Sequence, residues 1–254
     1  MIAAGVAAAV AVAGADMDEP PRKRMVRPPS GGGDGRAPAQ RLKTAKLRTP
    51  SSQAWLERQL NDPYVAEARA RGYRSRAAFK LIEIDEKLHL IRRGVRAIDL
   101  GTAPGGWVQV LIERGAGAVA GVDLLPVDPL APAQIVLGDF TWPDMGDRLV
   151  GLIGGPPELI LSDMAPNTTG HRQTDHLRIV GLIEAAVDFA TRTLTPGGAF
   201  VTKSFQGGEM AGVIAALKAS FAEVKTVKPK ASRAESTEIY LAALGFRGRQ
   251  STGG

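Results

Sequence analysis

Between residues 96 and 246 the chain passes through seven short apolar stretches: RAIDLG (96–101), AVAGVDL (118–124), IVLGDF (135–140), LILSDM (159–164), AFVTKSF (199–205), EVKTVK (223–228) and TEIYLAALGF (237–246). Segments with helical apolar spacing fill most of the gaps, the longest near 174–193. This alternation restricts the fold more than any other feature. Parallel strands need a long crossover, and a crossover helix has to cover a sheet face. The last two stretches have no helix between them and are expected to pair antiparallel. The expected fold class is therefore α/β, a seven-stranded, mostly parallel sheet with the last strand antiparallel and helices on both faces. Within AFVTKSF sits Lys203, and a lysine ammonium is costly to bury unless it is paired or neutralised.

The flanks read differently. Residues 16–50 are rich in Pro, Gly, Arg and Lys, so 1–50 is expected to be a disordered basic tail. The opening MIAAGVAAAVAVAGA is apolar but shorter than the roughly 20 residues of a membrane span. It has no basic residue before it, which disfavours a signal peptide. Met17 and Met25 are alternative initiators. Residues 51–95 carry helical spacing among basic residues, with Ser51 or Ser52 capping a first helix, Asn61-Asp62-Pro63 interrupting it, and Ser75 capping a second. The expected division is one domain over 51–247, with amino-terminal helices at 51–95, a sheet core at 96–247 and a flexible end at 248–254. Lys and Arg total 32 against 26 Asp and Glu, a net +6 that favours a polyanionic partner. The absence of Cys excludes disulfides, thiolate catalysis and Cys-based zinc sites. No pair of the three His has metal-ligand spacing, and no metal is expected.

In an open α/β sheet, ligands bind outside the carboxyl ends of the strands. The first strand ends in DLGTAPGGW, where Gly101, Gly105 and Gly106 permit a tight turn before a helix. The second ends in Asp123, 22 residues after Gly101, placed to accept from ribose hydroxyls. The third ends in GDF, with Asp139 placed toward a base. The glycines follow G-x-x-x-G-G, not the G-x-G-x-x-G of dinucleotide enzymes. A loop beginning with Asp99 and broadened by Pro104 suits a cationic, phosphate-free ligand, and S-adenosylmethionine fits, with Asp99 near its amino or sulfonium charge. Asp163 and Lys203 end the next two strands at the same rim. Glu238 starts the last strand, and Lys80 lies on the basic helix RSRAAFKL. Each alone reads as a solvated end residue; the convergence of four such charges does not.

SRAAFKL, DLGTAPGGW, DLLPVDP, GDF, SDMAPN, GGAFVTKSFQG and KASRAESTEIYLAA occur in that order and resemble the FtsJ/RlmE family of ribosomal RNA 2′-O-methyltransferases. The likeness runs from about Ser51 to Phe246, with Ala78 standing where the family carries an aromatic. It implies a Rossmann-like S-adenosylmethionine-dependent methyltransferase fold. It also implies a catalytic tetrad of Lys80, Asp163, Lys203 and Glu238, and cofactor positions at Gly105, Trp107, Asp123, Asp139 and Asp163, beside Asp99 and Gly101. A ribose 2′-hydroxyl must lose its proton as it attacks a methyl group. Lys203, desolvated near Lys80, is the implied proton acceptor; a Lys203 that stays charged would instead stabilise the developing alkoxide.

Phosphate contacts are expected from Arg74, Arg76, Lys80 and the tail, with Lys228, Lys230 and Arg233 as a second basic edge. The resemblance implies a uridine in the A-loop of large-subunit (23S) RNA as target, a large-ribosomal-subunit partner, a cytoplasmic monomer and no membrane association. Another RNA target, tRNA or a ribosomal cytidine, is the alternative within the class. Haemolysin-type relatives would add an S4-like domain, which 1–50 does not resemble. A nicotinamide oxidoreductase is disfavoured by the glycine spacing, and a non-catalytic RNA-binding module by the tetrad. A base amino-methyltransferase is disfavoured by SDMAPN, which lacks an Asn- or Asp-Pro-Pro-aromatic run.

Overall fold

A computed structural model describes residues 53, 56, 57, 60–166, 170–206, 210–233 and 235–248. The expected tail, the Ser51 and Ser52 caps and residues 249–254 lie outside the described residues. Seven strands form one sheet in the order β3-β2-β1-β4-β5-β7-β6. They are β1 Arg96–Leu100, β2 Ala118–Asp123, β3 Gln134–Leu137, β4 Leu159–Ser162, β5 Ala199–Phe205, β6 Phe221–Val227 and β7 Glu238–Phe246. The pairs from β3 to β5 are parallel, and β7 runs antiparallel to both β5 and β6. The described helices are α1 Pro63–Arg71, α2 Ala77–Leu88, α3 Gly106–Glu113, α4 Met145–Leu152, α5 Arg172–Thr193 and α6 Ala211–Ser220. Among the described residues, no helix is long and apolar enough to cross a membrane.

Strand alternation divides the interior into two cores. Ile98, Leu100, Val122, Ile160, Phe200 and Leu241 face α4, α5 and α6. Ala97, Val119, Leu159, Leu161, Val201 and Tyr240 face α2 and α3. Each fully buried aliphatic side chain contributes about 1.5–3 kcal/mol. This is why the central strands tolerate almost no polar residue except near their carboxyl ends.

Several boundaries fall short of the sequence expectation. β1, β2, β3, β4 and β6 stop one or more residues before their expected ends. Gly101 (φ 84°) turns the chain out of the sheet, and the Asp139 carboxylate accepts from Thr141 N at 2.8 Å, a local turn that competes with strand pairing. β6 begins at Phe221, earlier than expected, because Phe221 pairs with Phe246 and their rings pack 5.3 Å apart. Asp62-Pro63 does interrupt the helical pattern, and it also starts α1: the Asp62 carboxylate accepts from Tyr64 N at 3.0 Å. Ser75 does not cap α2. The cap position is Arg76, and the Ser75 hydroxyl is packed against Gly106, where a Cβ would come within 2.6 Å of it. The missing side chain at Gly106 thus lets α3 approach the start of α2, which carries Lys80.

Candidate active site

A cavity of about 630 Å³ opens at the carboxyl ends of the parallel strands. It lies where the strand order reverses, with β2 on one side of β1 and β4 on the other. Gly101, Ala103, Asp123, Leu124, Asp139, Phe140, Asp163 and Met164 line it, and α5 adds Arg178 and Leu182. Gly101 has no alternative here, since its left-handed backbone would carry any Cβ to 2.8 Å from Met164 N. Asp123 stitches two loops: Oδ2 accepts from Ala103 N at 2.8 Å and Oδ1 from Leu125 N at 2.9 Å. Asp139 Oδ1 accepts from Thr141 N and Oγ1.

Asp99 lies deeper than expected. It is fully buried and does not line the cavity. Neither of its carboxylate oxygens has a hydrogen-bond partner among the described residues. Burial, then the charges of Asp163 and Asp123, raise its pKa well above the ordinary carboxylate value. An unpartnered buried carboxylate beside an open cavity with three more carboxylates in its wall suits a ligand that brings positive charge and hydrogen-bond donors. S-adenosylmethionine has both. Trp107 also differs from expectation: its side chain is buried, its indole N–H donates to Ala77 O at 2.8 Å, and it braces α3 against α2 outside the cavity. Gly105, the residue before α3 with φ 107°, likewise lies outside the cavity lining.

The four charged residues do meet. Lys203 Nζ donates to the Asp163 backbone carbonyl at 2.5 Å and lies 3.1 Å from Asp163 Oδ1. Lys80 Nζ lies 2.7 Å from Glu238 Oε1. Burial opposes ionisation of Glu238, but the Lys80 ammonium and the Ser232 hydroxyl outweigh it, so its pKa falls below the ordinary value. Tyr240, which the sequence reading passed over, joins the two pairs. Its hydroxyl donates to Asp163 Oδ1 at 2.8 Å, and Lys80 Nζ donates to it at 3.3 Å. Burial, then the Asp163 and Glu238 charges, push the phenol well above its usual pKa, so it remains a donor. The signal was in the alternation: Tyr240 lies two residues after Glu238, on the same face of β7, and directly opposite Lys203 on β5. Ser232, whose hydroxyl donates to Glu238 Oε1 at 2.8 Å, left no comparable signal because it lies in a loop. Among the described residues, Asp163 alone belongs both to this network and to the cavity wall.

The residues expected to meet phosphate have other partners. The Arg74 guanidinium donates to three backbone carbonyls, those of Pro104, Asp128 and Pro129. Arg76 pairs with Asp62 and donates to Ala231 O, and Arg233 lies 3.6 Å from the same Asp62. Lys228 Nζ donates to Ser236 O, while Lys228 and Lys230 are exposed.

The model of the FtsJ-like methyltransferase family matches residues 73–246. The ribosomal RNA large subunit methyltransferase E of Caulobacter sp. (strain K31) is 62% identical over 226 residues, 89% of this chain and 100% of that protein. That of Gluconobacter oxydans (strain 621H) is 61% identical over 206 residues, 81% of this chain and 77% of that protein. A solved structure described as a ribosomal RNA methyltransferase of Plasmodium falciparum superposes with a TM-score of 0.63 at 31% identity, covering 70% of this chain and 100% of that one. A strand-end cavity suited to a cationic ligand, a Lys-Asp-Lys-Glu network that meets its wall at Asp163, and these likenesses agree: the chain belongs to the FtsJ-like methyltransferases, an S-adenosylmethionine-dependent family.

Proposed function

We propose that the chain methylates the 2′-hydroxyl of a uridine ribose in the A-loop of large-subunit (23S) ribosomal RNA, acting on the assembled or late-assembling subunit. The observation that carries this reading is the pairing of Lys203 with Asp163, which lines the cavity, and its link through Tyr240 to Lys80–Glu238. The names of the similar proteins support the large ribosomal subunit as target.

When bound, S-adenosylmethionine supplies an electrophilic methyl group on a sulfonium. Gly101, Asp123, Asp139 and Asp163 would hold it, with Asp99 beneath. Lys203 Nζ would take the hydroxyl proton as the ribose oxygen bonds to the methyl carbon and the carbon–sulfur bond breaks, the sulfur leaving as a neutral thioether. Asp163 fixes Lys203 Nζ through its backbone carbonyl and its carboxylate. Lys80, held by Glu238, presents an ammonium to the negative charge developing on oxygen. Tyr240 keeps Asp163 in place by donating to it. The exposed Lys228 and Lys230 are proposed phosphate contacts.

Transfer of labelled methyl to matched RNAs, one with a single 2′-deoxy nucleotide at the target, tests the assignment. The deoxy RNA should bind comparably, because its phosphates are intact, and should accept no methyl group at that residue. Undiminished labelling would place the reaction on a base and remove the proposed role of Lys203.

A further inference from the structure

Arg74 stands in a basic run, RGYRSR, that invites an assignment to RNA phosphate. Its surroundings point elsewhere. Nη1 donates to Asp128 O at 2.7 Å and to Pro104 O at 3.2 Å, and Nη2 donates to Pro129 O at 3.1 Å. Its backbone is fixed too: Arg74 N donates to Gln109 Oε1 at 2.7 Å, and Gln109 Nε2 donates to Gly72 O at 2.9 Å. The side chain therefore spans from the start of α2 across α3 to two loops. One loop, after β1, contains Ala103 and Pro104. The other, after β2, runs from Leu124 through Pro129.

Both loops reach the cavity a few residues away. Ala103 lines it from the first, and Asp123, Leu124 and Leu125 from the second. On the cavity side the Asp123 carboxylate joins the loops through Ala103 N and Leu125 N. On the far side Arg74 joins them, with Leu130 and Arg74 packed over Gly105, where a Cβ would come within 2.7 Å of Leu130 Cδ1 and 3.1 Å of Arg74 Nη1. A planar guanidinium can serve two adjacent carbonyls and a third at once; a lysine ammonium is a point donor on a flexible stem and cannot hold that fork.

We propose that Arg74 is a positioning residue for the cofactor: it closes the outer side of the two loops whose inner sides form the Asp123 wall. This rests on the assignment of the cavity to S-adenosylmethionine. Without Arg74 the Asp128 and Pro129 carbonyls lose their charged donor, and among the described residues the side-chain hydrogen bonds that still join the two loops are those of Asp123.

The experiment compares full-length wild type, Arg74→Ala and Arg74→Lys. Titration calorimetry with S-adenosylmethionine should give an affinity about tenfold weaker for Arg74→Ala, the scale of one or two lost charged hydrogen bonds, and only partial recovery in Arg74→Lys. Amide exchange on the ligand-free proteins should be faster at 124–130 in Arg74→Ala and unchanged in the β4–β5 pairing, a pattern that general destabilisation would not produce. Methyl transfer should show a raised KM for S-adenosylmethionine with kcat and RNA affinity near wild type. Normal cofactor affinity with weakened RNA binding would overturn the proposal and make Arg74 a phosphate contact; so would equal exchange at 124–130. Failure of the wild type itself to bind S-adenosylmethionine would remove the cavity assignment, a separate outcome.

Discussion

The rim of the sheet has two ends with opposite electrostatic designs. At the β1–β3 end, Asp99, Asp123 and Asp139 are satisfied by backbone N–H groups and a hydroxyl, or by nothing. None is within ion-pair distance of a lysine or arginine among the described residues. At the β4–β5–β7 end, two lysines and two carboxylates stand in two close pairs joined by Tyr240. The first end is left short of positive charge and asks the ligand to supply it. The second needs no charge from its substrate, which suits a neutral hydroxyl that becomes anionic only during reaction. Asp163 stands on the boundary, so a change there would blur the two designs, whereas changes on either side should separate them.

Lys203→Ala should give the largest separation. Turnover should fall by about 10²–10⁴-fold, the range of general-base contributions, while calorimetry returns near-normal cofactor affinity. Near-normal turnover would make Lys203 a structural lysine held by Asp163. Asp123→Ala should do the converse: cofactor binding should weaken by about 1–3 kcal/mol, because Ala103 N and Leu125 N lose their acceptor and so, on the proposed reading, do the cofactor's ribose hydroxyls. Saturating cofactor should then restore most of the rate. If it does not, the two ends are coupled more tightly than the geometry implies.

A smaller effect is expected from Tyr240→Phe. It keeps the buried ring against Trp107, 5.7 Å away, and removes only the hydroxyl between the two ion pairs. Turnover should drop by up to about tenfold, one net hydrogen bond, with the melting temperature little changed. A wild-type rate would show that the ion pairs orient themselves.

The smallest effect concerns Asp99. Its folded pKa is raised above the unfolded value, so its stabilising contribution is fully present below about 3.8, the ordinary carboxylate value, and is lost as pH rises through the folded pKa. Urea midpoints of the ligand-free protein should therefore show a downward drift with rising pH that Asp99→Asn flattens. A cationic ligand favours the ionised carboxyl, so within that window binding should release a proton, measurable by calorimetry in buffers of different ionisation enthalpy. Identical pH dependence in wild type and variant would mean that Asp99 is ionised and solvated in solution.

Strand identity, sheet class and the meeting of four charged residues were legible in the chain because each is written as a local pattern. Apolar runs, period-2 alternation and charges at run ends need no knowledge of what packs against them. The sequence also placed Asp123, Asp139 and Asp163 at strand ends, and the cavity formed there, since the carboxyl edge of a parallel sheet is where loops can open. What the chain alone could not decide was which polar groups find partners inside the protein. Arg74 and Arg76 look alike in RGYRSRAAFK, and both look like phosphate ligands. Only the approach of Asp128, Pro129 and Pro104 to one, and of Asp62 and Ala231 to the other, turned them inward. Trp107 was turned from cofactor contact to brace by Ala77 O, and Ser75 from helix cap to packing partner by Gly106. Hydrogen bonds between residues 30 to 155 positions apart are set by how the layers dock, and a donor commits to whichever acceptor that docking brings within 3 Å or so.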